Sequence, residues 1–186
     1  MNIALFYYDD FAEFEVAQVG LAFCNENLFS VALENREYRS SEKQRFLVDQ
    51  TIDEVDMDSL DLLVIPGGSP ESLFENQVLK KFIQTLALKG KKIAGICGGT
   101  QLMAAYGLLM GKKCTGNTTG IFPSDKSYKY FSDAILSEEY VVVDGNIITG
   151  QGQAFAEFAV ELANQMGLYK NEKERTDDLN WLKNIR

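Results

Sequence analysis

The chain has 186 residues, 46% of them hydrophobic, which is enough to build the core of one domain and too apolar for a disordered segment. Its 18 Lys and Arg are outnumbered by 27 Asp and Glu, and the net charge of -9 repels phosphate backbones and anionic lipid surfaces. Histidine is absent, which excludes Ser-His-Asp and Cys-His machinery, His-ligated zinc and imidazole proton shuttles.

Residues 3–8 form a nearly continuous apolar run, predicting a strand buried on both faces of a parallel sheet. The run lacks a basic flank and is cut by Asp9 and Asp10, so it does not read as a signal peptide. Phe14, Ala17, Leu21 and Cys24 then fall at helical spacing, and residues 29–33 resume a strand, giving β-α-β. Residues 34–50 are polar, with 45–48 as a short strand or hairpin arm. Residues 61–65 predict another buried strand, ended by Pro66-Gly67-Gly68-Ser69-Pro70. Val78, Leu79, Phe82, Ile83 and Leu86 make a helical stripe that Gly90 can cap, and residues 92–96 follow as a strand. A helix carrying Leu102, Met103, Ala105 and Tyr106 comes next, then a hairpin over 140–148 turning on Asp144-Gly145. Phe155, Phe158, Ala159, Leu162, Ala163 and Met166 predict an amphipathic helix. Residues 170–175 read as a charged hinge, after which Thr176 can N-cap a last short helix. The expected organisation is one α/β domain over 1–169 with 170–186 as its helical tail. No apolar run approaches the roughly 20 residues that span a bilayer. Asn117-Thr118-Thr119 is a chance glycosylation match, and the three cysteines lack CxxC spacing, so a reducing, cytoplasmic setting without a metal is expected.

Ile93-Ala94-Gly95-Ile96-Cys97-Gly98-Gly99-Thr100 carries a buried strand through a cysteine into a glycine-eased helix start. This is the pattern of a nucleophile elbow, which exposes the side chain above the sheet while the helix N-terminus lowers the thiol pKa. That point also lies beyond the carboxyl ends of the strands, where ligands collect. A lone thiol is more often inert packing, which is the expectation for Cys24 and Cys114. The glycines of Pro66-Gly67-Gly68 let backbone N–H groups approach a ligand or an oxyanion, the plain alternative being a strand-ending turn. Asp9, Asp10, Glu13 and Glu15 gather where the first strand exits, on the edge expected to carry Cys97. A carboxyl there can be held protonated or serve as acid or base, or it can simply favour the helix N-terminus. Gly150-Gln151-Gly152-Gln153-Ala154-Phe155 matches a dinucleotide loop poorly, because Phe155 replaces the third glycine, and a turn lining the same pocket is expected.

With these landmarks the sequence resembles, over nearly its whole length, the ThiJ/PfpI superfamily, the class I glutamine amidotransferase-like group that includes the parkinsonism-associated protein deglycase. The motifs are the acidic helix start ending at Glu15, Leu63-Val64-Ile65-Pro66-Gly67-Gly68, the Cys97 segment, Lys113-Cys114-Thr115-Gly116-Asn117 and Ile148-Thr149-Gly150-Gln151-Gly152. The resemblance implies a flavodoxin-like three-layer sandwich with a mostly parallel sheet, Cys97 as an oxidisable nucleophile hydrogen-bonded to Glu15, and Gly68 and Gly98 as backbone donors to an oxyanion. Gly67, Gly99, Asn117, Gly150 and Gln151 would complete the pocket, and the chain would form a homodimer. No cofactor, nucleic acid or membrane partner is expected. Many relatives carry a histidine directly after the cysteine, where this chain has Gly98, or after the next strand, where the nearest match is Asn117. Without either, peptidase- or amidotransferase-like hydrolysis is disfavoured. The expected chemistry is a Cys97 and Glu15 pair acting on small electrophiles, reactive α-oxoaldehydes or peroxides, with non-catalytic redox sensing or binding as the alternative.

Overall fold

The structure, a computed structural model, describes residues 1–116, 121, 123–124 and 126–185. The N-terminal apolar run forms β1 (Asn2–Phe6), buried from Ile3 onward. The chain turns through Asp10, at φ 62°, into α1 (Glu13–Ala22), and β2 (Asn27–Ala32) returns parallel to β1. The polar stretch folds into an arm, the antiparallel pair β3 (Tyr38–Arg39) and β4 (Arg45–Phe46), before β5 (Gln50–Thr51) pairs with β2. All of β6 (Leu62–Ile65) is buried. The Asn76 side chain caps α2 (Gln77–Leu88) by accepting from Leu79 N at 2.9 Å, and Gly90, at φ 75°, ends that turn. Next come β7 (Lys92–Ile96), α3 (Gly98–Ala105), and the short strands β8 (Lys113–Cys114) and β9 (Ile135–Leu136), which pair with each other. The hairpin of β10 (Val141–Asp144) and β11 (Ile147–Gly150) turns through Gly145 at φ 66°, and α4 (Phe155–Gln165) and α5 (Glu172–Leu182) close the chain.

The main sheet has the order β10-β11-β7-β6-β1-β2-β5 and is parallel except at β10. Right-handed crossovers place α1 on one face and α2 and α3 on the other, because β1 to β2 and β6 to β7 run in opposite directions across the sheet. Packing of α4 on α1 completes the first layer. The strand order reverses between β1 and β6, the kind of switch point beyond whose carboxyl ends open α/β sheets bind ligands. This is the expected flavodoxin-like α/β architecture. None of the helices among the described residues is long and apolar enough to cross a membrane.

Two sequence expectations are corrected. The stripe Phe14, Ala17, Leu21 and Cys24 faces outward, with Phe14 43% and Leu21 49% exposed, and Cys24 is therefore not a packing residue. Glu15, Val16, Val19 and Phe23 form the inward face instead. Apolar residues occur on both sides of α1, and Glu15 is buried on the same side as Val16, Val19 and Phe23. At the C-terminus, α5 begins at Glu172 because Asn171 caps it by accepting from Glu174 N at 3.0 Å. Residues 170–175 are thus largely helical, and Thr176 lies inside the helix. No α5 residue is buried; Arg175 pairs with Glu161 at 2.8 Å, Lys183 with Glu157, and Tyr169 donates to Asp178 at 2.5 Å.

Candidate active site

Cys97 sits between β7 and α3 at φ 52°, ψ -121°, a conformation that costs a non-glycine residue on the order of 1–3 kcal/mol. The surroundings hold it there. Its N–H donates to Gly150 O at 2.9 Å, and its carbonyl accepts from Thr100 N at 3.1 Å and Thr100 Oγ1 at 2.6 Å. Gly98 and Gly99 let the first turn of α3 approach the turn after β6: a Cβ on Gly98 would meet Gly68 O at 2.6 Å, and one on Gly99 would meet Pro66 O at 2.7 Å. Cys97 is half-buried, at the positive end of α3.

Glu15 enters from the first turn of α1 and is 1% exposed. Its Oε2 accepts the Gly67 N–H at 2.6 Å. Burial pushes its carboxyl up from 4.5 to about 7, against the opposing hydrogen bonds of Gly67 and Cys97. A Cβ on Gly67 would lie 2.6 Å from both Cys97 Cβ and Glu15 Oε2 and 3.0 Å from Cys97 Sγ, so only glycine lets the thiol and the carboxyl meet across this backbone. Gly152 closes the other side: its Cβ would lie 3.1 Å from Cys97 Sγ and 3.1 Å from Glu15 Oε1. Tyr8 lies behind the turn, its single hydroxyl proton shared between Gly67 O at 2.7 Å and Pro66 O at 3.1 Å.

The remaining expected site residues divide. Gly68, at φ 110°, packs against the Asp10 carbonyl, and its amide nitrogen lies 3.3 Å from the position of a Gly98 Cβ, so the backbones of Gly68 and Gly98 adjoin. Gly99 backs the Pro66 turn, and Gly150 offers its carbonyl to Cys97 N. Gln151 is occupied in holding strand ends together: its Nε2 donates to Thr115 Oγ1 at 3.1 Å and to the Glu138 and Glu139 carbonyls, both at 3.2 Å. Asn117 lies outside the described residues.

Of the four carboxylates at the exit of β1, only Glu15 turns inward. The arm engages the rest: Arg36 pairs with Asp9 at 2.6 Å and holds its carboxyl below the usual range, Lys43 pairs with Asp10 at 3.4 Å, and Ser40 Oγ donates to Glu13 at 2.5 Å. Cys114 is fully buried, which pushes its thiol up to about 11 and leaves it a packing residue. Sequence reasoning missed Tyr8, visible only as the last residue of an apolar run, while Gly152 lies in the turn that the sequence placed at the pocket without singling it out.

The sheet order and the cysteine between β7 and α3 define a class, flavodoxin-like α/β domains with a thiol at the carboxyl edge of a central parallel strand. The sequence matches the DJ-1/PfpI family over residues 1–165, and the chain belongs to that family. It is 35% identical over 113 residues to protein DJ-1 homolog D of Arabidopsis thaliana, covering 60% of this chain and 29% of that protein. It is 28% identical over 131 residues to protein dj-1beta of Drosophila melanogaster, covering 69% of this chain and 67% of that one. With deglycase PfpI of Pyrococcus furiosus it shares 33% identity over 111 residues, covering 56% and 60%. The chain therefore spans under a third of the first relative, 67% of the second and 60% of the third. Among solved structures, a DJ-1 superfamily protein of Agrobacterium tumefaciens superposes with a TM-score of 0.82 at 22% identity, both chains covered in full. Drosophila melanogaster DJ-1beta gives 0.81 at 21%, again with full coverage, and at these identities the likeness is one of fold.

Proposed function

We propose that the protein is a cysteine-dependent enzyme acting on small reactive carbonyls in a glyoxalase- or deglycase-like manner, with Cys97 as nucleophile and Glu15 as proton carrier. The observation that carries the reading is the meeting of Cys97 and Glu15 across Gly67, with a carboxyl whose pKa of about 7 populates both protonation states near neutrality. The deglycase name of an archaeal relative points the same way.

In this reading the Cys97 sulfur adds to the aldehyde carbon of an α-oxoaldehyde, and a proton passes to the former carbonyl oxygen. The Gly68 and Gly98 N–H groups serve that oxygen as charge develops on it. Ionised Glu15 takes this carbon's hydrogen as a proton, giving an enediol as the neighbouring ketone oxygen gains a proton. The carboxyl then returns its proton to the neighbouring carbon while the hydroxyl on the sulfur-bearing carbon loses its own, so the hemithioacetal becomes a 2-hydroxyacyl thioester. Water then cleaves the C–S bond, releasing a 2-hydroxy acid and the thiol. The net change is the addition of one water, which needs neither histidine nor a cofactor. Gly67 and Gly152 leave no side chain between Cys97 and Glu15, while Gly99 and Gly150 allow the close backbone and Phe158 packing behind them. The outward face of α1, with Phe14 and Leu21, is what a second copy of the chain would cover in a cytoplasmic homodimer.

Methylglyoxal consumption tests the reading: wild type and Cys24→Ala are expected to turn over alike and Cys97→Ala not at all, and a folded wild type without turnover would sink it. A second reading, reversible oxidation of Cys97 in a sensing protein, draws on the partial exposure of this thiol. It requires selective oxidation of Cys97 by mild peroxide, seen by mass spectrometry, with a change in partner or stability.

A further inference from the structure

Tyr8 lies two residues beyond the end of β1 and is 4% exposed. The two carbonyls that accept its hydroxyl, Pro66 O and Gly67 O, belong to the peptide units whose opposite ends are the Gly67 and Gly68 N–H groups. One of those N–H groups is the donor to Glu15 Oε2, and the other is the oxyanion donor of the reading above. Gly67 O also accepts Ala12 N–H at 2.9 Å, so the turn is gripped from the β1–α1 connection by one side-chain and one backbone donor. A hydrogen bond to a peptide oxygen polarises the whole unit and strengthens the N–H at its other end. Burial, with the nearby charges of Glu15 and Cys97, pushes the Tyr8 hydroxyl well above its ordinary range, which keeps it protonated as a donor.

We propose that Tyr8 is a positioning residue for the Cys97 and Glu15 site, its hydroxyl fixing and polarising the Gly67 and Gly68 amides so that the proton affinity of Glu15 is set from behind the turn. This rests on the reading of Cys97 and Glu15 as the reacting pair. A purely structural role would stabilise the turn without touching the titration of the pair.

Alkylation of Cys97 by iodoacetamide, followed by peptide mass spectrometry from pH 5 to 9, reports that titration without any turnover, and exposed Cys24 is the internal reference. Tyr8→Phe keeps the ring, which stacks against Phe6 with centroids 5.9 Å apart, and loses only the hydroxyl. The Gly67 N–H then binds the Glu15 carboxylate less strongly, and the Glu15 midpoint in the profile moves up by roughly 0.2–0.6 pH units. Site-specific 3-fluorotyrosine at position 8, a stronger donor in the same place, moves it down. Tyr106→Phe removes another buried hydroxyl-to-carbonyl hydrogen bond, to Leu73 O at 2.7 Å, and leaves the midpoint unchanged even at an equal loss of stability. Identical profiles for Tyr8→Phe and Tyr106→Phe, or shifts of one direction for both changes at position 8, overturn the proposal. If wild-type Cys97 reacts no faster than Cys24 at any pH, the proposal and the reading beneath it fall together. A shifted profile without methylglyoxal turnover removes the enzymatic reading alone.

Discussion

Glu15→Gln is expected to stabilise the fold while removing its chemistry, and the stabilisation carries a definite pH dependence. Burial lifts the Glu15 carboxyl from 4.5 to about 7, whereas the unfolded chain leaves it near its ordinary value. The folded protein thus holds this proton more tightly than the unfolded one, and stability falls as pH rises between those two values. At about 1.4 kcal/mol per pH unit the penalty reaches about 3 kcal/mol above pH 7 and vanishes below pH 4.5. Glutamine keeps an oxygen for the Gly67 N–H and has no charge to desolvate. The variant should therefore exceed wild type by up to about 3 kcal/mol at pH 8, or ~6–12 °C in Tm for a domain of this size, and converge with it near pH 4.5. Urea titrations of both proteins, followed by circular dichroism at a series of pH values across this window, give the difference directly. A difference that is constant with pH, or that favours wild type above pH 7, would refute burial of the carboxylate as its cause.

Three further outcomes are expected. Gly67→Ala forces a methyl group into the 2.6 Å gaps to Cys97 Cβ and Glu15 Oε2, so it should lower stability by about 1–3 kcal/mol in urea and slow Cys97 alkylation, with Cys24 alkylation unchanged. Cys114, buried and with its thiol pushed up to about 11, should resist iodoacetamide at pH 8 until the protein is unfolded; labelling at the rate of Cys24 would contradict its placement. Leu21→Glu, on the outward face of α1, should halve the mass measured by light scattering if that face joins two copies, and leave far-UV dichroism intact.

Much of the fold could be read from short patterns. Residues 92–96 are a strand within the bounds that apolar periodicity assigns, and the Pro-Gly-Gly turn and the glycines after Cys97 mark where two strands end side by side. What stayed hidden depends on distant partners. Four carboxylates follow β1, and nothing local distinguishes Glu15 from Asp9, Asp10 and Glu13, whose partners Arg36, Lys43 and Ser40 arrive with the arm. The same dependence hides the rotation of α1, since apolar residues on both of its faces leave the periodicity ambiguous and only the packed structure shows Val16, Val19 and Phe23 inward. Gly152 falls in the turn that the sequence places at the pocket, but its close approach to both Cys97 and Glu15 depends on β11 lying beside β7. The start of α5 was locally readable, because Asn171 and Glu174 have capping-box spacing, but the surrounding charges obscured it.

The reaction proposed for Cys97 and Glu15 is tested most directly by proton NMR of methylglyoxal incubated with the purified protein. Wild type and Cys24→Ala are expected to convert it to lactate, and Cys97→Ala and Glu15→Gln to form none above the protein-free rate. Lactate formed by Cys97→Ala as fast as by wild type, or none formed by a folded wild type, would contradict the assignment.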